Sequence, residues 1–265
     1  MDALYLFKHS PNSDFEIRQS MRSVALHAPW LRKVWIFGER PEFLTADTSI
    51  VEHVPHSAVA DRFAVKTPIV NMFDLVHLGA LISGLAPHFL LFSDDFYLMR
   101  DLSIADATKI RCLGDLGASP PTRKGRFGEM LRRTSRALIE RRLTAYNFET
   151  HTPAYFWKQW ILDAYIHLGQ LAGVGRFDGV VARTMILNFA LSREELRLTP
   201  LREENSRFGF WGSPPSYTDC MEAAGSSGDG GRVPKLFFNH DDAAFGDGIR
   251  AFLLERFGSR SKYEK

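Results

Sequence analysis

The sequence predicts an α/β fold, a mostly parallel sheet with helices on both faces. Two observations carry this. Short apolar runs of buried-strand character recur at "ALYLF" (3–7), "KVWIFG" (33–38), "SIVEHV" (49–54) and "HFLLFS" (88–93). Segments with apolar residues at helical spacing lie among them. Strands alternating with helices build a parallel sheet covered on both sides. In such sheets ligands bind beyond the carboxyl ends of the strands.

The elements follow in order. After the first strand, polar "KHSPNSD" is a loop, and Asp14 is placed to cap a helix through about His27. Ile17, Met21, Val24 and Ala25 give that helix an apolar face, and "APW" ends it. Gly38 closes the second strand and Pro55 the third. "TPIVNMFDLVHLGALISGL" (67–85) is expected to be a helix with Thr67 as cap and Pro68 at its first position. "TRKGRFGEMLRRTSRALIERRL" (122–143) is basic and helical. Two helices are expected at 154–171 and 178–192. A Gly/Ser-rich loop at 223–232, a strand at 233–239 and a helix at 249–258 close the chain. We expect one domain over 1–265, with a basic helical insertion at about 120–145.

Bulk properties narrow the function. A net charge of +2 on 265 residues argues against a general electrostatic nucleic-acid binder. Cys112 and Cys220 have no metal-type spacing and fit a reducing compartment. The N-terminus lacks signal-peptide character, and Pro87 interrupts the longest apolar run, 75–92. A cytoplasmic protein without a membrane span is the expectation.

The chemistry gathers at "LLFSDDF". An apolar strand runs into adjacent carboxylates, Asp94 and Asp95, each costly to desolvate and repelling the other. A hard divalent cation relieves that repulsion. Beside a nucleotide-sugar, the same cation neutralises the diphosphate. His151 in "NFETHTP" is held by Pro153, which suits an acid, a base or a phosphate contact. "NHDD" (239–242) ends the late strand and offers His240 and Asp241, ahead of Asp242, as a further metal ligand or an acceptor base. Arg18, Arg22, Arg32 and Lys33 are candidates for gripping phosphate.

"FEIRQSMRSVALHAPWLRKVWIFGERPEFL", "VEHVPHS" and "TPIVNMFDLVHLGALISGLAPHFLLFSDDFYL" resemble the second block of the Stealth family of sugar-1-phosphate transferases. The matched positions are Arg22–Ser23, Ala28 to Trp30, Arg32 to Phe37, Asn71, and Ser93 to Phe96, with Ser93 where Asn is usual. "THTPAYF" resembles the family's His-x-Pro segment, at His151. The closing block is matched at Asn239, at Asp241 and at Ser261 to Glu264, with His240 where Asp is usual. The family's opening "Trp-Val-Asp-Gly" strand is replaced by "LYLFKHSPN".

The resemblance implies a GT-A-like nucleotide-sugar transferase using manganese or magnesium. His151, Asp95 and Asp241 are its expected catalytic residues. Arg22, Asn71, Asp94 and Asn239 are expected to bind the donor, and Asp94, Asp95 and His240 the metal. Donor and glycan acceptor are the implied partners. The missing opening carboxylate weighs toward transfer of the sugar alone; sugar-1-phosphate transfer is the alternative. Two further readings stay open: glycosylation of modified nucleic acid, with the basic stretch docked on it, and a non-catalytic glycan-binding relic.

Overall fold

The computed structural model describes the chain except residues 11, 13, 64, 119, 120, 123 and 226–233. Arg123 of the basic stretch, most of the Gly/Ser segment and the first expected residue of the late strand lie outside the described residues. The central sheet has five strands in the order Val51–Val54, Val34–Gly38, Asp2–Phe7, His88–Phe92, Ala154–Trp157. The first four are mutually parallel and the last is antiparallel.

Strand periodicity explains the two cores. Leu4, Trp35, Phe37, Phe89 and Leu91 face helices Met72–Ala80, Gly125–Glu140, Lys158–Leu168 and Ala182–Leu191. Alternate residues Ala3, Tyr5, Ile36, Leu90 and Phe92 face helix Phe15–His27. Gly38 ends its strand at φ 133°, where a Cβ would lie 2.0 Å from the Phe7 carbonyl oxygen, so only glycine lets these strand ends close up.

A second sheet joins Arg207–Phe210, Phe237–His240 and Tyr97–Leu98. Phe237 pairs with Leu98 and Phe238 with Tyr97, antiparallel. That register carries Asn239 and His240 alongside the chain just after the Asp pair. Helix Asp247–Phe257 packs beneath it through Phe252 and Leu253.

Three local expectations are corrected. Asp14 makes no capping bond; it sits at φ 58° and its carboxylate pairs with His9 Nδ1 at 2.8 Å. The helix expected from Thr67 begins at Met72, because the Asn71 side chain caps it, accepting from Phe73 N at 2.8 Å. "AYFW" is a sheet strand, not a helix start; Phe89–Phe156 pairing buries its aromatics against the central sheet.

Candidate active site

Asp94 and Asp95 follow the fully buried end of strand His88–Phe92, at the carboxyl edge of the parallel strands. The Phe96 N–H donates to the Ser93 carbonyl at 3.2 Å, turning the chain so that both carboxylates sit in the bend between the two sheets. Ser20 holds the far side, donating to the Phe96 carbonyl and meeting the Tyr5 hydroxyl at 2.8 Å. Asn239 lies opposite, 1% exposed, with neither amide atom hydrogen-bonded within the chain. Its side chain is near enough to Asp95 to favour the ionised carboxylate without completing a bond of normal geometry.

The electrostatics are those of a crowded acidic corner. Burial pushes the Asp95 carboxyl up to about 8, and the Asp94 charge adds to it. Burial likewise lifts Asp94 to about 6, with Glu16 the next cause. Asp242 raises both. A buried cation lies within reach of the Asp95 charge. Arg183, on helix Ala182–Leu191, donates to Thr152 O at 3.0 Å and Thr150 Oγ1 at 3.3 Å and lies over the Phe96 ring. Burial lowers its guanidinium, while Glu149 and Asp95 hold the charge on it.

These residues fit a hard cation. Two carboxylates and the Asn239 amide oxygen offer hard oxygen ligands, and Asp95 carries a repulsion from Asp94 that a proton or a cation relieves. Among the described residues no three His, Cys, Asp or Glu side chains converge on one point. A cation held by these residues would need further oxygens, which water or a bound diphosphate would supply.

His240 does not join this set. It is buried, with Nε2 3.0 Å from the Tyr97 hydroxyl and Nδ1 3.2 Å from the Asp241 carbonyl, so both ring nitrogens are engaged. Strand alternation explains it: Asn239 and His240 point to opposite faces. Asp241 is a loop brace, accepting from Gly212 N at 3.0 Å and Ala244 N at 2.9 Å. Of this run it is Asp242 whose charge reaches the pair.

Three of the cations proposed for phosphate are otherwise employed, while the fourth, Arg18, keeps a buried Nε with no hydrogen-bond partner. Arg22 makes two 2.7 Å bonds to Glu264 and one of 2.9 Å to the Phe257 carbonyl, clamping the C-terminal segment. Burial tends to raise Glu264, but Arg22 and the Ser261 N–H and hydroxyl outweigh it and hold the carboxyl low. Arg32 grips the buried Asp2 at 2.8 Å and Lys33 reaches Glu52 at 2.6 Å. Both lie at the amino ends of the strands, the edge opposite Asp94. Arg18 stacks over Phe43. Asn71 is a helix cap whose amide also donates to the Ala172 and Gly175 carbonyls.

His151 stands in a strained turn at φ 51°, its ring 6.2 Å from the partly exposed Trp211. A non-glycine residue in this region costs free energy that its surroundings must offset, as at many functional sites. The same Thr150–Pro153 turn receives Arg183, so helix Ala182–Leu191 ties His151 to the Asp pair's surroundings. The sequence does not single out Glu16, Arg183 or Trp211, and it ranks Asp242 behind His240 and Asp241. Arg183 carried one usable signal, a charged residue at the start of an otherwise apolar helix.

The fold is that of GT-A-type glycosyltransferases. A solved galactosyltransferase, LgtC, in complex with donor and acceptor sugar analogs, superposes with a TM-score of 0.50 at 14% identity, covering 98% of this chain and 96% of that one. No described family model matches the chain. Among curated proteins it is 33% identical over 89 residues to a capsular polysaccharide phosphotransferase of Streptococcus thermophilus, 32% of this chain and 36% of that protein. It is 32% identical over 88 residues to an exopolysaccharide phosphotransferase of Streptomyces coelicolor, 32% of this chain and 14% of that protein. Over about a third of its length the chain is similar to these polysaccharide phosphotransferases, and its fold is GT-A-like. It spans only about a third or less of the length of these relatives.

Proposed function

We propose that the protein transfers a sugar unit, with its proximal phosphate, from a nucleotide-sugar to a hydroxyl of a polysaccharide. The observation that carries the reading is the Asp94–Asp95 pair, lifted by burial and, at Asp95, by the Asp94 charge, and facing an Asn239 amide without a hydrogen bond of normal geometry. Asp94 and Asp95, with Asn239, would hold a divalent cation, whose chemistry is to neutralise and polarise the donor diphosphate. Arg183, whose charge Asp95 helps to hold, would offset the negative charge that builds on phosphate oxygens.

In the proposed step the acceptor oxygen forms a bond to the sugar-proximal phosphorus. The pyrophosphate P–O bond breaks, and the nucleoside monophosphate leaves with that electron pair. The hydroxyl proton passes to the His151 imidazole. Trp211, beside His151 and part-exposed, offers an apolar face to the acceptor sugar ring.

The missing opening carboxylate, taken alone, favours transfer of the sugar alone. Two findings shift the balance: the buried arginine beside Asp95, and relatives named as phosphotransferases. Transfer of the sugar alone is the second reading, supported by the LgtC fold likeness. Mass spectrometry of the nucleotide product separates the two. Nucleoside monophosphate, with phosphate retained on the acceptor, is expected; nucleoside diphosphate would establish the second reading instead.

A further inference from the structure

The carboxyl edge of the sheet carries a second feature that the transfer reaction does not use. Val70 and Met72 flank the cap residue Asn71 and are 49% and 40% exposed. The Asn71 amide donates to the carbonyls of Ala172 and Gly175, which brings Val174, 89% exposed, to the same place. Phe63, 51% exposed, ends the turn that follows helix His56–Ala60, itself packed on helix Met72–Ala80. Four large apolar side chains thus stand in water on one rim. Isolated exposed apolar residues are ordinary, but a gathered set marks an interaction surface.

The charges around them have one dominant sign. Arg62, Lys66 and Arg176 are exposed on the same two segments. The acids there are Asp61, exposed, and Asp178, whose carboxylate is taken up by the Gly175 N–H at 2.8 Å. Arg133 donates to the Phe177 and Gly179 carbonyls and so joins this rim to the basic helix Gly125–Glu140. Residues 124–142 hold seven cationic side chains against two carboxylates, in a chain whose whole net charge is only +2. Apolar side chains ringed by cations match a bilayer surface, where the apolar groups enter the headgroup layer and the cations meet lipid phosphates. A protein partner or a second copy would more often present mixed charges at the rim.

Helices in parallel β–α–β units begin where the preceding strand ends. The rim around Asn71 therefore lies on the same edge as Asp94 and Asp95. We propose that Arg62, Phe63, residues 65–72 and residues 174–176, flanked by the basic helix, dock the protein on an anionic phospholipid surface with the candidate active site at the bilayer. No described helix is long and apolar enough to cross a membrane, and the proposed rim itself would attach peripherally.

Vesicle co-sedimentation tests this without reference to catalysis. The full chain is spun with phosphatidylcholine vesicles, with and without about a third phosphatidylglycerol. Binding is expected only with the anionic lipid and is mostly lost when salt rises from about 0.05 M to 0.5 M. The double variant Phe63→Asp/Val174→Asp should abolish it. Arg62→Gln/Lys66→Gln/Arg176→Gln should weaken it about 100-fold, roughly fivefold per cation. Circular dichroism melting checks that both variants fold, and each surface can be tested through the other if one does not. Absence of binding to anionic vesicles, or binding unaffected by both variants, would overturn the proposal. So would a wild-type dimer in solution that Val174→Asp splits, because the rim would then be an interface between copies.

Discussion

At the scale of single residues, Asp95 is the position where environment most alters chemistry. Its carboxyl is raised to about 8, by burial first and by the Asp94 charge second. The sign of the consequence is fixed. A carboxyl whose folded pKa lies above its unfolded value destabilises the folded state as pH climbs from the unfolded value through about 8, because the native site resists ionisation. A bound cation reverses that preference and expels the proton. Manganese affinity should therefore rise with pH, by up to about tenfold per unit between pH 6 and 8, with proton release measurable by calorimetry in buffers of different ionisation enthalpy. A flat profile would show that the pair is already ionised or that the metal sits elsewhere. Asp95→Asn removes the acid, so the metal-free variant should melt higher than wild type at pH 8 while losing cation binding. His151→Ala should lower turnover about 100-fold with little change in melting temperature. An unfolded variant would instead assign His151 a structural part in its φ 51° turn.

At the scale of elements, the Arg22–Ser23 pair shows how a shared motif can be architectural. Arg22 reaches from helix Phe15–His27 to Glu264, while Ser23 Oγ accepts from the Leu98 N–H at 3.0 Å. The helix thereby fastens both the chain leaving the Asp pair and the last residues of the protein. Breaking a largely buried ion pair leaves an uncompensated charge, so Arg22→Ala should cost about 3 kcal/mol in urea unfolding. Donor affinity of the folded fraction should be unchanged. A donor-affinity loss at full stability would restore Arg22 to the phosphate site. The same reasoning explains Asn71: it caps one helix and ties down the 172–175 loop, so its effect on a donor passes only through that loop.

At the scale of the whole molecule, the parallel sheet and its carboxylate-bearing edge were legible because they rest on local signals: apolar runs, a Pro, a Gly, a charged pair. The four central strands and the Asp pair fall where the runs place them. What was not legible depends on partners distant in sequence. The strand Ala154–Trp157 looks helical until its aromatics meet Phe89, and Arg183 looks like an ordinary helix residue until Thr150, Thr152 and Phe96 close around it. His240 and Asp241 carried the right residue types, but strand alternation and a loop brace turned them away from the pair. The central claim is that Asp94 and Asp95 join a divalent cation to a nucleotide-sugar diphosphate. Thermal shift with a panel of uridine, guanosine and cytidine sugar nucleotides, each with and without manganese, tests it in wild type and Asp95→Asn. One donor is expected to raise the melting temperature only when manganese is present, and the variant is expected to lose this joint shift. An equal shift without metal, an undiminished shift in the variant, or no shift with any donor would contradict it.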